Sequence, residues 1–85
     1  MPRFYFDARE GERFAPDETG LEFDNLDAVK NEAACLAAEI ARDRLPMNDT
    51  REVTIEVRNT HRQRVLTITL TMEIDQVDPP RGNGP

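Results

Sequence analysis

The clearest hydrophobic rhythm in the chain runs from Asp24 to Arg44. Leu26, Val29, Ala33, Leu36, Ala37 and Ile40 recur three and four residues apart, which lines them along one stripe of an α-helix. Asn31, Cys35, Ala38, Glu39 and Arg42 fall on the opposite side. Asp24 or Asn25 can cap the first turn, and Asp27 sits where the helix dipole favours an anion. Arg42 and Arg44 occupy the last turn, where cations are favoured, and Pro46 stops the run because it has no N–H to donate.

Elsewhere the period is two. Arg3–Asp7 alternates, with Phe4 and Phe6 on one side and Tyr5 on the other. Arg9-Glu10-Gly11-Glu12 reads as a turn, Arg13-Phe14-Ala15 as a short returning strand, and Asp17-Glu18-Thr19-Gly20 as a second turn before an extended Leu21-Glu22-Phe23. After a loop at Pro46–Thr50, Val53, Ile55 and Val57 mark the inward face of a strand over Arg51–Asn59. Leu66, Ile68, Leu70, Met72 and Ile74 do the same for Val65–Ile74, whose outward face carries Thr67, Thr69 and Thr71. Directly opposed residues in an antiparallel pair share a face, so odd core positions must meet even ones. A four-residue loop, Thr60–Gln63 or His61–Arg64, satisfies this and sets Val53 opposite Leu70 or Met72. Strands with one apolar face, arranged as hairpin, helix, hairpin, imply an α+β fold. We expect a ββαββ two-layer sandwich, one antiparallel sheet of about four strands covered on one face by the helix. Residues 1–77 form the single domain, and residues 78–85 are expected to be disordered.

Several stretches together resemble a family of short, uncharacterised alphaproteobacterial proteins that is known only as a domain of unknown function. They are Met1-Pro2-Arg3-Phe4-Tyr5-Phe6-Asp7, Asp17-Glu18-Thr19-Gly20-Leu21-Glu22-Phe23, Asp24-Asn25-Leu26-Asp27-Ala28 with the alanine-rich helix, and Glu56-Val57-Arg58-Asn59. The chain departs from that pattern at Thr60-His61-Arg62-Gln63-Arg64, where members often carry an acidic residue and a glycine. The resemblance implies a bacterial protein and brings no activity, cofactor or site with it. At the level of fold alone, the hairpin before an alanine-rich helix is similar to the small antitoxins of one RNase toxin–antitoxin system, and fold does not carry function.

Composition narrows the chemistry. The net charge is −6, concentrated in residues 1–27 at −5, whereas residues 46–64 carry +1. Such a chain repels a phosphate backbone at long range, so nucleic acid is a disfavoured partner. No run approaches the roughly 20 apolar residues of a membrane helix, and the N-terminus shows no apolar signal region. A single cysteine makes no internal disulfide, and the cytoplasm is the expected location. There is no serine, which removes serine nucleophiles. Cys35 and His61 are the only thiol and imidazole, on opposite kinds of element, so we expect an exposed thiol rather than a catalytic pair. Asp17, Glu18, Glu22, Asp24 and Asp27 have the ligand type for a divalent cation but match no calcium-loop spacing. A turn and a helix cap account for most of them.

Two surfaces remain. Arg58, His61, Arg62 and Arg64 form one basic patch at the tip of the second hairpin. Tyr5, Thr67, Thr69, Thr71, Ile74 and Val77 form an apolar to mildly polar surface suited to contact. The last strand outruns its partner, which ends near Arg51, so Ile74 to Val77 need cover from within the chain or from a second copy. We expect a non-catalytic interaction or structural protein that uses no cofactor and no metal and forms a homodimer, through the last strand or the open face. The alternatives are an antitoxin-like or nucleic-acid-linked regulatory module, and a metal-binding protein or enzyme using the acidic cluster.

Overall fold

The computed structural model describes residues 2–46 and 51–79. In chain order the elements are β1 (Arg3–Glu10), β2 (Arg13–Ala15), β3 (Leu21–Glu22), α1 (Leu26–Arg44), β4 (Glu52–Arg58) and β5 (Arg64–Thr71). The strands form one antiparallel sheet in the order β2-β1-β4-β5, and β3 also pairs with β1. β2 meets β1 at Ala8–Glu10 and β3 meets it at Arg3 and Phe4, so two short strands share one edge and the expected four strands become five.

β1 is longer than the alternation suggested. Arg9 and Glu10 stay in the strand, opposite Phe14 and Arg13, and the turn shrinks to Gly11-Glu12. Gly11 takes φ 58° and Glu12 does not follow it to positive φ, the pattern of a type II′ turn that needs glycine only at its first position.

α1 covers one face of this sheet. Asn25 is its cap, accepting from the Ala28 N–H at 2.9 Å. Val29, Ala33 and Ala37 are fully buried, and the two alanines let the helix approach the strands closely. They meet Phe6, Ile55 and Val57, with Phe4, Ala8, Phe23, Leu36, Ile40, Leu66 and Ile68 packed around them. Phe23 sets its ring edge-on to Phe6 at 5.7 Å. Burying a side chain such as Ile55 contributes about 1.5–3 kcal/mol. Leu26 departs from the expected stripe, being 53% exposed. Its helical angle agrees with Ala33 and Ala37, so the cause is axial: it is the first residue of the helix, one turn ahead of Val29.

The second hairpin holds the register expected from a Thr60–Gln63 loop, with Val53 opposite Leu70 and Ile55 opposite Ile68. The loop itself is tighter. The Asn59 N–H donates to the Gln63 carbonyl at 2.9 Å and the Arg62 N–H to the Asn59 carbonyl at 3.1 Å, leaving Thr60–Arg62 as the turn. Arg62 adopts φ 64°, a conformation in which an arginine is strained. The surplus residue is taken up by an irregularity beside Val65, where pairing shifts between Val57 and Arg58. The Asn59 side chain holds the tip by accepting from the N–H groups of His61 and Gln63 at 2.8 and 3.0 Å.

β5 stops at Thr71, three residues short of the expected Ile74, because β4 begins only at Glu52. One further bond, Met72 N–H to the Arg51 carbonyl at 2.9 Å, closes the ladder. The Met47–Thr50 part of the expected loop, and residues 80–85 of the expected disordered tail, lie outside the described residues.

Candidate functional site

The open face of the sheet, opposite α1, carries a polar clasp. Tyr5, Asp7 and Arg9 of β1 face this side, opposite Arg58, Glu56 and Thr54 of β4. Asp7 is only 4% exposed although it lies outside the helix–sheet core. Arg58 explains this, because its Nε and Nη2 donate to the Asp7 carboxylate at 2.6 and 3.2 Å. The same Nη2 donates to the Asp17 carbonyl at 3.1 Å, and the guanidinium lies 4.9 Å from the Tyr5 ring centroid. The paired carboxylate raises the Arg58 pKa further, so the guanidinium stays charged.

Asp17 locks the loop over this pair. Its N–H donates to Asp7 at 2.8 Å. Its carboxylate accepts from the N–H of Phe6 at 3.1 Å, of Thr19 at 3.0 Å and of Gly20 at 3.1 Å. The Phe6 bond fills the gap on β1 between the places where β3 and β2 pair. Burial works against the Asp17 charge, but the three N–H groups and Arg58 outweigh it and hold the carboxyl below its ordinary 3.8. Gly20 turns the loop back at φ +74°, where an added Cβ would lie 2.8 Å from the Phe4 carbonyl oxygen.

The residues read as a basic patch are therefore distributed. Arg58 is engaged by Asp7, and Arg64 lies 3.4 Å from Glu56. His61 and Arg62 are exposed at the tip. A shallow open depression of about 390 Å³ separates the tip from the clasp, lined by Asp7, Phe14, Pro16, Glu18, Arg58 and Arg62. The acidic residues are also spread out: Asp17 is taken by N–H groups, Glu22 pairs with Arg3 at 3.2 Å, and Asp27 sits in the first helical turn. Among the described residues no group of three or more His, Cys, Asp or Glu side chains could hold a metal ion. Cys35 is exposed on α1, and among the described residues no hydrogen bond joins it to His61. No described helix is long and apolar enough to cross a membrane.

The second feature is the free edge of β5. Thr67 and Thr69 of β5 face the open side, level with Glu56 and Thr54, and Thr71 continues the row opposite Glu52. Thr69 shares a hydrogen bond with Thr54 at 3.2 Å. Among the described residues no strand pairs with the outer edge of β5. That edge runs for eight residues, and from Val65 to Thr71 it has no charge and no proline. The opposite edge is two short strands of three and two residues, with Arg13 and Glu22 on them. Short or charged edges resist pairing with another chain, whereas a long neutral one invites it. Beyond β5, Ile74 and Val77 are 70% and 75% exposed. Ile74 lies beside a depression of about 330 Å³ formed with Arg51, Thr71, Met72 and Glu73.

Sequence reasoning placed Tyr5 and the threonine row but missed the Asp7–Arg58 pair. The signal was present, since both residues fall on the open face by parity. What was lacking was the pairing of β1 with β4, because contacts between the two hairpins have no local sequence mark.

The family model described as a domain of unknown function, DUF6894, matches residues 3–71. No curated protein and no solved structure matches the chain. The matched span takes in every strand, the helix and the whole clasp, and it ends at the last residue of β5.

Proposed function

Because the chain belongs to the DUF6894 family, a domain of unknown function, we propose a role from its own surfaces: a small, non-catalytic interaction module that joins a second copy along the edge of β5. One observation carries this reading. Among the described residues the edge of β5 is unpaired, with seven uncharged residues from Val65 to Thr71, and the chain that continues from it exposes Ile74 and Val77. A small domain gains stability from a partner chain when it has neither a disulfide nor a metal. Paired twofold contacts are the commonest form of self-association. The lone Cys35 fits a cytoplasmic protein, and the −6 charge fits a protein partner better than a nucleic acid.

Sedimentation across the micromolar range tests the proposal. A dimer is expected, and Ile74→Glu should dissociate it by placing a carboxylate where an apolar contact is needed. A single species at the 9.7 kDa of one chain throughout that range would overturn it.

A further inference from the structure

We infer that the two copies exchange their tails: Glu73–Val77 of each chain continues β5 as a strand on the partner's β5, with Thr71 facing the partner's Thr71 at the twofold axis. This rests on the self-association proposed above and adds a register to it.

The backbone decides which residues can pair. The Met72 N–H is bonded to Arg51, and hydrogen-bonded positions alternate along an antiparallel ladder. Leu66, Ile68, Leu70 and Met72 therefore turn their backbone groups toward β4, and Thr67, Thr69, Thr71 and Glu73 turn theirs outward. A twofold axis relating two antiparallel edge strands stands perpendicular to the sheet. Opposed residues then face the same side, both helices lie on that side, and the outward-turned positions pair with one another.

Side chains select among the allowed registers. The exposed large hydrophobics of the second hairpin and its tail are Val65, Leu70, Ile74 and Val77. With Thr71 on the axis, Leu70 faces the partner's Met72, Ile68 faces the partner's Ile74, and Val65 faces the partner's Val77. Val65 sits at the pairing irregularity, without a residue of β4 opposite it. Glu73 and Asp75 meet the partner's Thr69 and Thr67, so no like charges oppose. An axis at Thr69 puts Ile74 against Arg64 instead. An axis at Leu70 leaves Val77 against Gln63, an axis at Met72 leaves Val65 against Pro79, and an axis at Glu73 opposes two carboxylates. Only the Thr71 register gives all four hydrophobics an apolar neighbour. It also forms about ten backbone hydrogen bonds, the usual number for a specific interface.

The occupant is a second copy because edge and tail are parts of one strand. Residues 72–79 show no turn that would fold the tail back on its own β5.

Cysteine cross-linking reads the register. In a Cys35→Ala background, Thr69→Cys, Leu70→Cys and Thr71→Cys are each oxidised mildly and run without reductant. At the axis the two Cα atoms stand about 5.5 Å apart, within disulfide reach. At Leu70 the separation grows to about 8 Å and at Thr69 to about 15 Å, both beyond it. Thr71→Cys should cross-link at least about tenfold faster than the other two. Sedimentation of the same variants separates the two claims. A dimer that cross-links best at Thr69 or Leu70, or at none of the three, overturns the register alone. A monomer in every variant overturns the self-association with it.

Discussion

Replacing Arg58 by methionine removes the guanidinium from Asp7 while keeping an aliphatic stem over Tyr5. Asp7 would lose both side-chain donors from Arg58, at 2.6 and 3.2 Å, and its carboxylate is only 6% exposed. Breaking a buried ion pair on one side typically costs 3–5 kcal/mol, because a charge is left buried without a partner. The whole stability of an 85-residue domain is about 4–13 kcal/mol at 0.05–0.15 kcal/mol per residue. The substitution therefore removes a large share of it. Arg64→Met is the matched control: its side chain is 63% exposed beside Glu56, and loss of such a pair costs about 0–1 kcal/mol. Urea unfolding followed by far-ultraviolet circular dichroism, at one protein concentration, measures both. Asp7→Asn added to Arg58→Met should recover part of the loss, since a neutral amide replaces the stranded charge. If Arg58→Met stays within about 1 kcal/mol of the parent, the pair behaves as a surface bridge and the clasp does not anchor the loop.

Three further outcomes follow from the same geometry. The Asp17 carboxyl is held below its unfolded 3.8, so it contributes stability above that pH and loses it as pH falls through the lower folded value; urea midpoints should drop less steeply below pH 3.8 in Asp17→Asn. The two positive-φ sites at Gly20 and Arg62 should respond in opposite directions: Gly20→Ala costs about 2 kcal/mol or more, because a Cβ meets the Phe4 carbonyl at 2.8 Å, and Arg62→Gly gains about 0.5–1 kcal/mol by relieving strain, both read as shifts in urea midpoint. Cys35 should react with a thiol reagent at the rate of an exposed cysteine in the folded chain, and Cys35→Ala should stay within about 0.5 kcal/mol of the parent.

Most of the architecture was legible because each element carries its own period. Val29, Ala33 and Ala37 mark the buried line of α1, and Val53, Ile55 and Val57 that of β4. Even the parity of the second hairpin followed from its two apolar faces, which left Leu70 or Met72 opposite Val53, and the structure takes Leu70. Local geometry was harder to read. Nothing in Thr60-His61-Arg62 announces a left-handed arginine, since glycine or asparagine usually marks that conformation. The exposure of Leu26 depends on where the helix begins relative to the sheet, which periodicity does not encode. The clasp was hidden for a different reason. Asp7 and Arg58 are 51 residues apart and meet only once β1 has chosen β4. Until then each looks like one more charge on a solvated face.

Residue-resolved hydrogen exchange of β5 tests self-association along that edge most directly. Leu66, Ile68 and Leu70 turn their N–H groups to β4 and are protected in either state. The N–H groups of Thr67, Thr69, Thr71 and Glu73 point away from β4 and depend on a partner. We predict that they exchange slowly at high protein concentration and faster on dilution, as one group. Exchange of these four at free-chain rates at every concentration, beside protected Leu66, Ile68 and Leu70, would contradict it.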